Sequence, residues 1–124
     1  MKQKVLIAED ENEIRSLVRR CLENAGYDVV EAANGAAAIV ALHSDAFDLL
    51  ITDILMPDTD GLEAIIYARK MHPQMKVIAV SALANALHLS NARGLGATRV
   101  LPKPFMPSDL LALVREVIGE PASV

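Results

Sequence analysis

The chain has 124 residues, 52% hydrophobic but only 3% aromatic, and a net charge of −4 from 12 basic and 16 acidic side chains. That length fits one domain able to bury a core without staples, and the lone cysteine, Cys21, excludes an internal disulfide and suits a reducing, cytoplasmic setting. The acidic balance, with no basic cluster interleaved with aromatics, argues against direct nucleic-acid binding; no apolar run approaches the ~20 residues of a bilayer span, and a start that turns acidic at Glu9 does not read as a signal peptide.

Val5 to Ala8 is a short, continuous apolar run, which marks a strand buried on both faces. Ile14, Leu17, Val18, Cys21, Leu22 and Ala25 then fall at helical spacing, and Gly26 closes the helix. Tyr27 to Glu31 reads as a second strand, and Asn34-Gly35 turns into an Ala-rich helix ending near His43. Asp48 to Thr52 is a third strand, followed by a loop with Pro57 and Gly61. Leu62, Ile65 and Ile66 begin a helix that Pro73 ends. Val77 to Val80 is the fourth strand, and a helix from about Ala84 to Arg93 stops at Gly94 and Gly96. Thr98 to Leu101 is the fifth strand. Pro107 opens a last helix through Leu110, Val114, Val117 and Ile118.

Apolar strands alternating with amphipathic helices predict an α/β fold, a parallel sheet covered on both faces by five helices. Five such units fit the flavodoxin-like doubly wound order 2-1-3-4-5, an order taken over from proteins of that fold rather than derived from these residues. Ligands of such sheets bind beyond the carboxyl ends of the strands, where strand order reverses. There the sequence places Glu9 and Asp10 after strand one, Asp53 after strand three, Ser81 after strand four and Lys103 after strand five. Three converging carboxylates repel one another, so a proton or a cation must sit among them. An all-oxygen site with open positions suits Mg²⁺, and an Asp carboxylate beside it can attack a phosphoryl group.

Each residue alone has a plainer reading. Asp10 with Glu13 three positions on fits a helix cap, Asp53 a turn, Ser81 another cap and Lys103 a solvated charge. Only their joint placement at four strand ends selects the functional reading.

In these residues the sequence resembles the receiver domains of bacterial response regulators along nearly its whole length. The matching pieces are Glu9-Asp10, Asp53, the segment Met56-Pro57-Asp58-Thr59-Asp60-Gly61, Ser81-Ala82 and Lys103-Pro104-Phe105. The resemblance implies a phosphorylation-activated switch of a two-component system, with Asp53 the phosphoacceptor. Asp10 and Asp53 would be direct Mg²⁺ ligands, joined by the backbone carbonyl of Leu55, and Glu9 would act through a metal-bound water. Ser81 would move onto the phosphoryl group and Lys103 would pair with it. It also implies a cis Lys103-Pro104 bond. The expected donor is a sensor histidine kinase or a histidine phosphotransfer protein. The output would pass, through the surface of the fourth predicted helix, the fifth strand and the last helix, to a downstream protein or a linked domain.

The sequence also departs from that pattern. Glu9 stands where Asp is common, and Val100 stands where the family usually carries Tyr or Phe. Leu55 and Leu83, which would flank the phosphoryl group, cannot orient a water, so a long-lived phosphoryl state is expected. Gly96 to Val100 lacks the residues of one subfamily's dimer salt bridges. Leu83, Leu87 and Leu89 offer a partner patch, although Leu83 and Leu87 also suit a core. His43, His72 and His88 lack metal-ligand spacing and read as surface residues. Two rival readings are a receiver-like interaction module without phosphorylation, and a Mg²⁺-dependent aspartyl-phosphate phosphatase. Leu55 stands where such a phosphatase needs its second Asp, so the chain is not expected to be an enzyme beyond its own phosphorylation and dephosphorylation. Residues 1–119 are expected to form the receiver domain, and 120–124 a tail or the start of a linker.

Overall fold

A computed structural model describes residues 2–54, 61–81, 94 and 96–120. Five strands, β1 (Lys4–Ala8), β2 (Asp28–Ala32), β3 (Leu49–Asp53), β4 (Lys76–Ser81) and β5 (Arg99–Pro102), form one parallel sheet in the order β2-β1-β3-β4-β5. The described helices are α1 (Asn12–Asn24), α2 (Gly35–Ser44), α3 (Gly61–Met71) and α4 (Pro107–Ile118). The expected flavodoxin-like order is thus observed. The helix expected from about Ala84 to Arg93 falls outside the described residues, as do Met56 to Asp60, Leu83, Leu87, His88 and Leu89.

The apolar runs are continuous because each strand feeds two cores. Leu6, Ala8, Leu50, Val77 and Ala79 face α2 and α3 through Ala38, Leu42, Ala64, Ile65 and Ala68. Val5, Ile7, Leu49, Ile51, Ile78 and Val80 face α1 and α4 through Val18, Leu22, Leu110, Leu113 and Val114. Strand side chains alternate between faces, so a sheet sandwiched by helices admits no polar face.

Three strands begin one residue later than their sequence patterns suggest. Tyr27 is buried yet precedes β2: its N–H bonds the Leu22 carbonyl and finishes α1, beside Gly26 with φ 107°. Asp48 precedes β3, with its carboxylate accepting from the Lys4 N–H at 2.8 Å. Thr98 precedes β5 and bonds Val77 through both its N–H and its hydroxyl. The shift places Asp53 inside the ladder, paired with Val80, rather than in a loop after it.

The helix ends are secured in different ways. Asn34 caps α2 by accepting the Ala37 N–H at 2.8 Å. In α4, Pro107 stands at the first helical position, and the Asp109 carboxylate accepts the Met106 N–H at 3.2 Å. The far end of α4 is tied to the amino-terminal edge of the sheet. There Gln3 Nε2 donates to the Ile118 carbonyl at 2.5 Å, and the Tyr27 hydroxyl donates to the Gly119 carbonyl at 2.8 Å.

Candidate functional site

The register of the sheet brings the charged residues together. Ala8 stands opposite Thr52, so the next residues, Glu9 and Asp53, lie side by side where the strand order reverses. Asp53 stands opposite Val80 and Ser81 opposite Pro102, which carries Ser81 and Lys103 to the same end. Glu9, Asp53 and Ser81 are buried, whereas Asp10 is exposed. Carboxylate oxygens of Glu9, Asp10 and Asp53 all lie within 4.8 Å of one another.

Lys103 closes the cluster. Its ammonium donates to Glu9 Oε1 at 2.5 Å and to Asp53 Oδ2 at 2.7 Å, with both carboxylates buried and Lys103 partly so. Glu11, largely exposed, lies 4.0 Å away. Burial works against the ammonium, but the bonds to Asp53 and Glu9 outweigh it and raise the Lys103 pKa. Burial pushes Glu9 in the opposite sense for an acid: its pKa rises to about 7, with Lys103 pulling it down and the Asp53 charge adding to the rise. The Lys103-Pro104 peptide bond is cis, as the resemblance implies.

The plain reading of Asp10 as a helix cap does not hold. The cap position of α1 is Glu11, whose side chain makes no capping bond, and Asp10 lies one residue before it. Asp10 therefore has its carboxylate directed to the cluster instead of to the helix amides. At the end of β3, the Gly61 N–H bonds the Ile54 carbonyl at 2.8 Å. A β-carbon on Gly61 would collide with the Asp53 carbonyl oxygen and lie 2.7 Å from its carbonyl carbon. Glycine at 61 lets α3 start directly against the backbone of the strand that carries Asp53.

Sequence reasoning missed Arg15 and Glu31. Arg15 Nη1 donates to the Glu9 carbonyl at 2.7 Å and Nη2 to Asn12 Oδ1 at 2.6 Å. Glu31, on β2, accepts from Arg15 Nε at 3.2 Å and from Arg19 Nη1 at 2.7 Å. An arginine on a helix face separated from its partner by 16 residues carries no sequence signal beyond that of a solvated charge. His43 is exposed, as expected, with Nδ1 3.2 Å from the Tyr67 hydroxyl, but His72 is half-buried, its Nε2 2.7 Å from the Leu42 carbonyl. Cys21 is half-buried against the Pro107 carbonyl.

An orphaned oxygen tests whether a cation fits. Glu9 Oε2 is buried and has no hydrogen-bond partner among the described residues. A buried carboxylate oxygen left in that state is costly unless a proton, a cation or a cation's water shell reaches it. One ammonium faces three carboxylates, all hard oxygen donors, and one of these, on Asp10, opens to solvent. The donor set fits Mg²⁺, which keeps several waters and takes one or two carboxylates.

Residues 5–115 match the family model of the response regulator receiver domain. The chain belongs to the response-regulator receiver family. Receiver domains are the phosphorylation-activated switches of two-component systems, not classical enzymes. This one is 34% identical to the response regulator receiver protein CpdR of Brucella abortus, over 94% of this chain and 97% of that protein. It is 35% identical to the transcriptional regulatory protein CpxR of Escherichia coli, of which it spans 49%. Among solved structures, a CheY-like receiver domain protein from Methanospirillum hungatei superimposes with a TM-score of 0.90 at 31% identity, covering 94% of this chain and 93% of that one. The chemotaxis protein CheY4 of Vibrio cholerae gives 0.88 at 30% identity, over 94% and 99%. No helix among the described residues is long and apolar enough to cross a membrane.

Proposed function

We propose that this receiver domain accepts a phosphoryl group on Asp53, with Mg²⁺ held by Asp10 and Asp53 directly and by Glu9 through a water. The observation that carries the assignment is the pairing of Lys103 with both Glu9 and Asp53 in a cluster short of positive charge. The backbone carbonyl of Leu55, outside the described residues, is proposed as a further ligand by resemblance. Bound Mg²⁺ supplies charge that neutralises the incoming phosphoryl oxygens.

The chain's own residues supply the rest. The Asp53 carboxylate attacks phosphorus, a P–O bond forms, and the P–N bond of a donor phosphohistidine breaks, leaving its imidazole to take up a proton. Lys103, already bonded to Asp53, is placed to pair with the phosphoryl oxygens. Ser81, buried at the end of β4, is the proposed hydroxyl donor to them. The phosphoryl group adds about −1.5 to −2 charges, and the response of Ser81 and Lys103 shifts the surface on that side of the sheet. Inverting a two-state equilibrium fully takes about 5.5 kcal/mol of differential stabilisation.

A sensor histidine kinase or a histidine phosphotransfer protein is the proposed donor, in the cytoplasm, and a downstream protein or a linked domain the recipient. Residues 1–119 are proposed as the receiver unit. Intact-mass spectrometry after acetyl phosphate and Mg²⁺ tests the assignment: one added phosphoryl group is expected, absent with EDTA and absent in Asp53→Asn. Metal binding without any mass change would restrict the domain to its cognate donor. Loss of both would leave a fold kept for protein contacts.

A further inference from the structure

The turn that carries Glu9 and Asp10 has no helix cap to fix it, since the Glu11 side chain makes no capping bond at the start of α1. It is held by other means. On one side the Glu9 N–H donates to the Ala32 carbonyl of β2 at 3.1 Å. On the other the Glu9 carbonyl accepts from Arg15 Nη1 at 2.7 Å, while Nη2 of the same guanidinium holds Asn12 Oδ1 and Nε holds Glu31 on β2. Glu31 is itself fixed by Arg19. One planar group thus ties together the last residue before Asp10, the first turn of α1 and the edge strand.

We propose that Arg15 is a positioning residue for the metal site: it fixes the Glu9-Asp10 turn so that both carboxylates meet Asp53. The inference rests on the proposed Mg²⁺ site and deepens it. Among the described residues Arg15 bonds no carboxylate of the cluster; it acts through the backbone carbonyl of Glu9. The guanidinium makes three directed bonds at once, which a lysine ammonium on a flexible stem cannot reproduce. Residues that orient metal ligands in this indirect way typically change affinity by about 10- to 100-fold when removed.

Charge gives the test its sign. Removing a cation near an acidic pocket should, by electrostatics alone, tighten Mg²⁺ binding, whereas loss of positioning should weaken it. Mg²⁺ binding to the full chain is measured by calorimetry for wild type, Arg15→Met and Arg15→Lys. Arg99→Met, which removes an equal charge from the exposed Arg99–Glu116 pair, is the control. Both Arg15 variants are expected to bind Mg²⁺ about 10-fold more weakly, the control unchanged. With acetyl phosphate, the deficit should appear in the Mg²⁺ concentration for half-maximal labelling and largely vanish at saturating metal. In the metal-free protein, amide hydrogen exchange at residues 9–12 should quicken in both variants. Should Arg15→Met prove unfolded, Arg15→Lys carries the same expectation with the charge kept. Unchanged or tighter Mg²⁺ binding in the folded variants would overturn the positioning role. A wild type that binds no Mg²⁺ and takes no phosphoryl group would overturn the proposed site itself, and this role with it.

Discussion

Replacing Lys103 by Met keeps most of the alkyl stem and removes the ammonium that bonds Glu9 Oε1 at 2.5 Å and Asp53 Oδ2 at 2.7 Å. At an effective dielectric near 20, each of these pairs has a gross attraction of about 6 kcal/mol, most of it offset by desolvation. Breaking a buried pair by removing one partner costs about 3–5 kcal/mol, because the remaining charge is left uncompensated. Here the remaining charge has an escape, since burial has already raised the Glu9 pKa to about 7 and loss of Lys103 raises it further. In EDTA, Lys103→Met should therefore lose more at pH 8.5, where two carboxylates are left uncompensated, than at pH 5, where Glu9 is protonated and only the Asp53 pair is broken, with about 3 kcal/mol lost at the alkaline pH. Urea unfolding followed by far-ultraviolet circular dichroism measures both; at a slope near 1.5 kcal/mol/M the alkaline loss is a midpoint shift of about 2 M. Millimolar Mg²⁺ should restore much of the difference at pH 8.5 by replacing the missing charge. A loss of equal size at both pH values, untouched by Mg²⁺, would refute the electrostatic reasoning and assign Lys103 a packing role.

Glu9 alone predicts a pH dependence in the metal-free wild type. Its carboxyl holds a proton more tightly folded than unfolded, so folding takes up a proton and stability falls as pH rises from about 4.5 to about 7. Glu9→Gln should flatten that fall by about 3 kcal/mol between pH 4 and pH 8, and parallel urea-midpoint curves for the two proteins would contradict the raised pKa. Gly61→Ala should destabilise by about 1–3 kcal/mol and slow acetyl-phosphate labelling, because the added carbon meets the Asp53 carbonyl; wild-type stability in that variant would place the collision in error. Dephosphorylation of the wild type should be slow, and Leu55→Asn should speed it several-fold in a phosphate-release assay by orienting a water; an unchanged rate would show that residue 55 does not face the phosphoryl group.

The sheet was legible because each strand is buried on both sides, which leaves unbroken runs such as Val77-Ile78-Ala79-Val80. Strand limits were less so, because hydrophobicity does not separate a residue in the ladder from a buried residue beside it. Tyr27 is the example: it is apolar enough for a strand, yet its N–H closes the preceding helix. Glu9, Asp10, Asp53, Ser81 and Lys103 could be read as a set because parallel topology sends every strand end to one edge. Arg15 and Glu31 could not, since nothing local says that a guanidinium on α1 will find the carbonyl of Glu9. Asp10 showed the limit of local rules, for the Asp-x-x-Glu spacing suits a capping box, but the structure starts the helix one residue later.

The bonds that fix the end of α4 make that helix a lever. Its last turn is pinned by Gln3 and Tyr27 at the amino-terminal edge of the sheet, and its first turn begins at Pro107, with only Phe105 and Met106 between it and the Lys103-Pro104 bond. Leu110, Leu113 and Val114 seat its middle on the sheet, so a rod pinned at its far end and pushed at the other tilts on that seat rather than slides. Small displacements of Lys103 would thus be delivered as a change of angle, greatest at Pro107 and vanishing toward Gly119. A partner that grips the Pro107 end would feel the state of Asp53, while one that grips the pinned end would feel almost nothing.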